Sequence, residues 1–321
     1  FDGKLTGTNS MDDLKDCDVV VMTAGFPRKP GMSRDDLLKT NAGIVGGVMQ
    51  KVKAHSPNAI VVMVTNPLDV MTYLAYKVTG FPPQRVVGMA GVLDSARFAY
   101  FISEALDCSQ QDIRAMVMGG HGDSMVPMPR YSTVNGIPIT DLLPADKVAS
   151  MVQRTRDGGA EIVKLLKQGS AYYAPSSSVV SMVASIVRDE KRILPSCAIL
   201  NGEYGLKEVA MGVPAKLGRK GVEQVIQLKL TAEEDGMPWE ATIHVESSCV
   251  AALISGEPNR GSTHHEPIFS CGLRRSVFPN RRACSPRGRP LGASGPRGSR
   301  SASRPGRDPK TAARLWVAPC G

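Results

Sequence analysis

Short apolar runs recur along the first part of the chain at the spacing of an α/β fold. Each run is continuous rather than alternating, which is typical of a strand buried on both faces of a parallel sheet. The predicted strands cover residues 18–23, 59–65, 85–89 and 113–118.

Helical periodicity fills the gaps between these runs. An apolar stripe that includes Leu38, Val45 and Met49 predicts a helix over residues 34–55. A second helix is predicted over residues 66–78, and Asp94 is placed to cap a third. Strands and helices that alternate in this way imply a parallel sheet with helices on both faces.

The pattern changes after residue 120. Asn135-Gly136 between two short apolar segments predicts a tight hairpin. The other predicted elements are helices at residues 146–167, interrupted at Gly158-Gly159, and 177–189, and antiparallel strands at residues 193–200, 209–217 and 225–230. We therefore expect a sheet domain at residues 1–119 and an α+β domain at residues 120–235.

Composition divides the chain near residue 235. Residues 236–321 hold 13 of the 39 lysines and arginines but 5 of the 30 acidic residues, so most of the net charge of +9 belongs there. Their Pro, Gly, Ser and Arg follow neither a helical nor a strand period, which predicts a disordered basic tail. Out-of-frame translation would explain this composition. A basic arm for nucleic acid or an acidic membrane surface is the alternative, although no nucleic-acid-binding motif accompanies it.

Other features narrow the class of protein. No apolar run approaches the roughly 18–20 residues that cross a bilayer, and no secretory signal pattern is present. Cys17, Cys108 and Cys197 lack metal-ligand spacing and are expected to be structural thiols. These observations favour a cytoplasmic enzyme with no metal site. The first methionine is Met11, so an upstream segment is expected to be missing.

Polar side chains follow each predicted strand at its carboxyl end, where ligands bind in open α/β sheets. In chain order these candidates are Arg28, Arg34, Asn66, Asp94, Arg97 and His121. Flanking glycines leave the imidazole of His121 accessible, and its ordinary pKa near 6.5 suits proton transfer at neutral pH. A loop histidine bonded to backbone is the alternative.

The carboxylate and the arginines also have two interpretations. Asp94 and Arg97 form a local ion pair at a helix start, or Asp94 accepts the far N–H of His121 while Arg97 binds a substrate carboxylate. Arg28 and Arg34 are ordinary solvated residues or ligands of an anion near the positive end of a helix dipole. Together, these groups would bind a small dianion and move one proton.

Several motifs in this order resemble the lactate/malate dehydrogenase superfamily, and within it the bacterial lactate-dehydrogenase-like malate dehydrogenases. The resemblance covers roughly residues 1–235 and implies a Rossmann-type sheet with an α+β substrate domain. The matching segments are Thr23-Ala-Gly-Phe-Pro-Arg-Lys-Pro-Gly-Met-Ser-Arg34, Asn41, Val64-Thr-Asn-Pro67, Gly91-Val-Leu-Asp-Ser-Ala-Arg97, Met118-Gly-Gly-His-Gly-Asp-Ser124 and Gly169-Ser-Ala-Tyr-Tyr-Ala174.

The resemblance implies reversible NAD-dependent oxidation of malate to oxaloacetate. In it, His121 moves the hydroxyl proton and Asp94 stabilises the imidazolium. Arg97 holds the C1 carboxylate and Arg34 polarises the 2-oxo group. Asn41, Val64, Thr65 and Asn66 lie near the cofactor, and Asn66 also contacts the substrate. A dimer or tetramer is implied as well.

Arg28 distinguishes the substrates of this superfamily. The resemblance places Arg28 on the second carboxylate, where lactate-specific relatives usually carry Gln. A guanidinium facing a methyl group would be unfavourable, so malate is favoured over lactate. Lactate dehydrogenase, a non-catalytic dicarboxylate-binding or assembly module, and a nucleic-acid-binding fusion remain the alternatives.

Two family features are absent from the sequence. No Gly-x-Gly-x-x-Gly turn follows a strand in residues 1–235, which implies that the first βαβ unit is missing and that NAD binds weakly. That unit forms the middle of the sheet. We therefore expect a strand at residues 4–8 to lack a neighbour and the strand at residues 18–23 to be a bare apolar edge. The family's last helix is replaced by the tail.

Overall fold

The computed structural model describes residues 3–27, 34–122, 124–167, 171–235, 268–273 and 313–318. Its strands are β1 Lys4–Thr8, β2 Val19–Met22, β3 Ile60–Met63, β4 Val86–Gly88, β5 Ile113–Arg114, β6 Val117–Gly119, β7 Met125–Pro127, β8 Thr133–Val134, β9 Ile137–Pro138, β10 Arg192–Asn201, β11 Lys207–Gly218, β12 Gly221–Val225, β13 Ile268–Leu273 and β14 Ala313–Val317. Its helices are α1 Arg34–His55, α2 Leu68–Thr79, α3 Gly91–Leu106, α4 Ile139–Leu142, α5 Ala145–Leu166, α6 Tyr173–Val187 and α7 Ala232–Asp235.

The predicted α/β core is confirmed. Strands β2, β3 and β4 pair in parallel, with Val20 opposite Val61 and Val62 opposite Val87. The intervening segments form α1 and α2 within two residues of the predicted bounds. The sheet then continues in the order β4-β10-β11-β6-β7 with antiparallel pairs, so one sheet crosses the predicted domain boundary.

Side chains that alternate along the parallel strands feed two separate cores. Val20 and Met22 of β2 pack with α1 and α2 residues such as Met49 and Leu74. Val19 and Val21 point to the other face, among residues that α3, α6 and the antiparallel strands supply. Both faces are therefore covered, as the continuous apolar runs predicted.

The edge predicted beside β2 is occupied, so that expectation is wrong. Strand β14 pairs in parallel with β2 through Leu315 opposite Val19 and Trp316 opposite Val20. Strand β13 lies between β14 and β1 and is antiparallel to both. The prediction that β1 lacks a neighbour is wrong for the same reason, and the expected disorder of residues 236–321 does not extend to these two strands.

Contacts at both ends of β14 fix its register. The Asp18 N–H donates to the Arg314 carbonyl at 2.8 Å, and the Ala318 N–H donates to the Val21 carbonyl at 2.8 Å. The Arg314 guanidinium donates to the Lys15 carbonyl at 2.7 Å. Trp316 is fully buried in the core that α1 and α2 cover. The apolar edge of β2 is therefore paired with an apolar strand from a distant part of the chain.

Three further predictions about residues 94–230 are wrong. The fourth predicted strand is two short strands, and both pair antiparallel: β5 with β8, and β6 with β7 and β11. Helix α5 runs through Gly158-Gly159 without interruption. The last strand is β12 at Gly221–Val225 rather than residues 225–230. The Asn135-Gly136 hairpin is confirmed between β8 and β9.

Among the residues that the structure describes, no helix is both long enough and apolar enough to cross a bilayer.

Candidate functional site

The site is built around His121, which lies on the loop between β6 and β7. Gly119 before it has φ of +80°, and a Cβ there would lie 2.8 Å from the Ser124 carbonyl oxygen, so this turn requires glycine. The imidazole is largely buried, with 17% of the side chain exposed. The turn that Gly119 permits therefore places the imidazole of His121 at the edge of the sheet.

Asp94 holds that ring from the first turn of α3. Its Oδ2 lies 2.8 Å from His121 Nδ1, and its side chain is 2% exposed. Asp94 does not cap the helix as predicted, because Ala90 occupies that position. Since the carboxylate accepts from Nδ1–H, the other ring nitrogen, Nε2, is left to exchange a proton with a ligand.

Opposing influences act on the pKa of His121. Burial lowers it, but the Asp94 carboxylate and its hydrogen bond, with a contribution from Asp69, raise the pKa above the ordinary value. Arg97 opposes this rise. The net effect makes the imidazole a stronger base and keeps it protonated to higher pH.

Arg97 lies one turn along α3 and contacts the same carboxylate, with a guanidinium nitrogen 3.4 Å from Asp94 Oδ1. The local ion pair and the predicted bond from Asp94 to the imidazole are therefore both present, because Asp94 contacts His121 and this arginine. Gly158 and Gly159 of α5 leave room for the guanidinium: a Cβ on Gly158 would lie 3.3 Å from Arg97 Cδ. The Arg97 Nε is buried and bonds to none of the described residues, so it is a donor available to an anion.

The sequence analysis missed Asp69, a buried carboxylate in the first turn of α2. Its Oδ2 accepts from the His121 peptide N–H at 2.8 Å. A signal existed, because Asp69 lies close after Asn66 in the segment that follows the same strand. Burial raises the pKa of Asp69, against the lowering effects of the His121 peptide, the imidazole and the Cys197 thiol.

The carboxyl ends of β2 and β3 form the wall beside these groups. The Asn41 amide accepts from the Phe26 N–H at 2.8 Å and donates to the Asn66 carbonyl at 2.7 Å, so it ties the two strand-end loops together. The Thr65 hydroxyl donates to the Ala24 carbonyl at 2.7 Å. Val64 is half-buried, and Asn66 is exposed at the rim. The structure thus gives Asn41 and Thr65 bonds within the protein and leaves the Asn66 side chain open.

Two features of this wall are suited to a ligand. Gly25 has φ of +155°, and a Cβ there would lie 2.5 Å from Thr65 Cγ2, so no side chain fits at the end of β2. The Thr23 hydroxyl is buried and has no hydrogen-bond partner among the described residues. Buried hydroxyls are usually paired, so this one is a candidate ligand contact.

Two predicted site residues cannot be placed in this geometry. Arg28 lies outside the described residues, and Arg34 is described only by its backbone, as the first residue of α1. The structure therefore brings together His121, Asp94 and Arg97, with the wall that Asn41, Val64, Thr65 and Asn66 form beside them.

Two family models match the chain. One is the lactate/malate dehydrogenase NAD binding domain, which matches residues 2–88. The other is the lactate/malate dehydrogenase alpha/beta C-terminal domain, which matches residues 91–241. The His121 loop and α3 lie in the second match, and the wall of β2 and β3 lies in the first.

Individual relatives give the same result. A malate dehydrogenase of Pelodictyon phaeoclathratiforme is 54% identical over 249 residues, which are 78% of this chain and 80% of that protein. The crystal structure of Cryptosporidium parvum malate dehydrogenase is 40% identical, with a TM-score of 0.72 over 77% of this chain and 80% of that chain. The lactate dehydrogenase of Eimeria maxima, solved with NADH and oxamate, is 39% identical, with a TM-score of 0.72 over 79% and 80% of the two chains.

Proposed function

Because the chain belongs to the lactate/malate dehydrogenase family, we propose that it catalyses the reversible NAD-dependent oxidation of malate to oxaloacetate. The observation that carries this proposal is the shared carboxylate of Asp94, which lies 2.8 Å from the imidazole of His121 and 3.4 Å from the guanidinium of Arg97. The arrangement provides a proton acceptor beside an anion-binding group, as oxidation of a hydroxy acid requires.

His121 moves the proton in this reaction. Asp94 accepts from Nδ1–H and fixes the tautomer, so neutral Nε2 takes the hydroxyl proton of malate. In the reverse direction the protonated ring returns that proton to the 2-oxo oxygen. The neighbouring carboxylates stabilise the imidazolium that malate oxidation produces and that oxaloacetate reduction consumes.

The arginines hold and polarise the dicarboxylate. Arg97 has a buried Nε that bonds to none of the described residues, and it binds the C1 carboxylate. Arg34 polarises the 2-oxo group, and Arg28 binds the second carboxylate; both roles rest on the family motif. Asn66 contacts the substrate from the rim of the wall.

The wall at the ends of β2 and β3 fits the nicotinamide end of NAD. The Thr23 hydroxyl has no hydrogen-bond partner in the described part of the chain and offers a bond to an amide, and Gly25 leaves space for a flat ring. Val64 and Asn66 lie beside it, while Asn41 and Thr65 hold the loops that shape it. NAD supplies the hydride acceptor when it is bound.

The direct test is oxaloacetate-dependent oxidation of NADH by the purified chain, followed by the loss of NADH absorbance. Turnover with oxaloacetate well above that with pyruvate supports the proposal. Binding of oxaloacetate without turnover would favour the non-catalytic dicarboxylate-binding alternative. Faster turnover of pyruvate would favour lactate dehydrogenase.

The charge at position 28 is expected to set the choice between the two 2-oxo acids. Arg28→Gln removes the partner of the second carboxylate, so kcat/KM for oxaloacetate should fall by about 10²-fold or more, and the ratio of pyruvate to oxaloacetate turnover should rise. The measurement is kcat/KM for both acids. Lys29→Gln is the matched control, because it removes a neighbouring positive charge and should leave the ratio unchanged. An equal loss for both acids in Arg28→Gln would contradict the assignment.

We also propose that the chain assembles as a homo-oligomer, a dimer or a tetramer. Large apolar side chains are exposed at the end of α5 and at the start of α6, including Leu165 at 74% and Tyr173 at 81%. Apolar surface of this kind marks an interaction site. Sedimentation velocity should give at least twice the chain mass of 34.3 kDa, and a monomer at micromolar concentration would contradict the proposal.

The proposed location is the cytoplasm. Cys17, Cys108 and Cys197 are free thiols, and Cys17 and Cys197 are buried. Unpaired thiols suit a reducing compartment. Cell fractionation of the source would test this, and recovery of the chain with an oxidising compartment would contradict it.

A further inference from the structure

We propose that Asp69 is a positioning residue of this site: its buried carboxylate fixes the peptide of His121 and sets a second negative charge beside the imidazole that Asp94 already holds. The inference rests on the proposed role of His121 in proton transfer. The hydrogen bond that Asp69 makes within the site is to the His121 peptide, so its proposed effect runs through His121.

The two carboxylates bond to different parts of His121. Asp94 Oδ2 bonds to the ring at Nδ1, and Asp69 Oδ2 bonds to the backbone N–H of the same residue, each at 2.8 Å. Asp94 belongs to α3 and Asp69 to α2. Side chains from two helices therefore bond to His121. A shift of the loop between β6 and β7 would break at least one of these bonds.

The surroundings of Asp69 argue against an ordinary structural ion pair. Asp69 is 7% exposed, and its Oδ1 has no hydrogen-bond partner among the described residues. The groups that favour its charged form are the His121 peptide, the His121 imidazole and the Cys197 thiol, and none of them is a lysine or an arginine. Among the described residues, the cation that stabilises the charged form of this buried carboxylate is protonated His121. Ionisable groups whose pKa is shifted by burial beside a specific charged partner cluster at functional sites.

Cys197 keeps the arrangement free of a competing charge. Its thiol is fully buried on β10, and burial together with Asp69 raises its pKa well above the ordinary value, so it stays neutral. Arg97 is the cation that faces the imidazole from α3 and opposes the effect of the carboxylates. The protonation of His121 thus depends on the sum of Asp69, Asp94 and Arg97.

The test is the titration of His121 itself. It is measured by NMR on the full chain with labelled histidine, in the absence of substrate and cofactor. Asp69→Asn keeps an oxygen that can accept from the His121 N–H but removes the charge, so the His121 midpoint should move to lower pH. Asp112→Asn makes the same change at an exposed position and should leave the midpoint unchanged, because solvent and salt screen that charge. His121→Ala assigns the signal among the five histidines.

A second readout needs no variant. In the parent protein, the ¹³Cγ resonance of Asp69 should follow the titration of His121 with the same midpoint, because the two groups share one proton equilibrium. If this resonance does not respond, or if Asp69→Asn leaves the His121 midpoint where it is in the parent, the inference is overturned. Both outcomes are independent of turnover, so an inactive chain would refute the proposed function without affecting this result.

Kinetics distinguish positioning from a purely structural role. In Asp69→Asn, the alkaline loss of kcat for oxaloacetate reduction should begin at lower pH, with KM unchanged, because Asp69 bonds to the His121 peptide and is proposed to act through that residue. Asp69→Ala also removes the bond to the His121 peptide, and kcat should fall by up to about 100-fold through misplacement of the ring. A rise in KM with unchanged kcat in either variant would contradict this assignment.

Discussion

Replacement of His121 by alanine should lower kcat for oxaloacetate reduction by about 10²–10⁴-fold, the range that a positioned acid or base contributes. Asp94 bonds to the imidazole at Nδ1, which leaves Nε2 for proton exchange with the ligand. No other imidazole among the described residues lies within the site. The measurement is steady-state NADH oxidation at saturating oxaloacetate. KM should change little, because the guanidinium of Arg97 still binds the carboxylate.

A matched histidine change controls for general damage. His55 ends α1, with its Nε2 3.9 Å from Asp12 Oδ1, and has no contact with the site. His55→Ala should therefore retain the parent kcat. Circular dichroism of both variants should match that of the parent protein. If His121→Ala keeps more than about a tenth of the activity, the proton-transfer role is wrong.

Replacement of Trp316 by alanine should destabilise the protein by about 3–5 kcal/mol, the usual cost of emptying a fully buried aromatic site. Trp316 is 0% exposed and packs against the core of α1 and α2 from β14. Its loss also weakens the strand that covers the edge of β2. Urea unfolding should show a lower midpoint with a similar m-value.

A leucine on the same sheet provides the comparison for Trp316. Leu5 lies on β1 with 63% of its surface exposed, so Leu5→Ala should change the free energy of unfolding by less than about 0.5 kcal/mol. Equal midpoints for Trp316→Ala and Leu5→Ala would show that β14 does not stabilise the sheet. Deletion of the residues after 310 should then be equally harmless, whereas we expect it to unfold the edge.

The site was partly accessible to sequence reasoning because its groups follow predicted strands. Side chains at the carboxyl ends of parallel strands converge, so the sequence predicts that Asp94, Arg97 and His121 lie together. The three residues do meet, although the strand before His121 pairs antiparallel. Asp69 was overlooked because an acidic residue in the first turn of a helix is common and has an ordinary explanation in the helix dipole. Only its burial and its bond to the His121 peptide distinguish it.

The glycines of α5 show the same limit. Gly158-Gly159 predicted an interruption because glycine weakens a helix by about 1 kcal/mol relative to alanine. The helix continues, and the missing side chains make room for Arg97 of α3. A residue chosen for its neighbour in space cannot be recognised from its neighbours in sequence.

The amino-acid sequence by itself determined the elements whose signal is local. These are the apolar runs of β2, β3 and β4, the apolar stripe of α1, and the hairpin at Asn135-Gly136. These features depend on side-chain periodicity and turn geometry, which a short window contains. The tertiary structure decided which strand covers the edge of β2 and which carboxylate grips the His121 loop. Both depend on burial between segments distant in sequence, 296 residues apart in the bond between Asp18 and Arg314, and local pattern carries no record of such a partner.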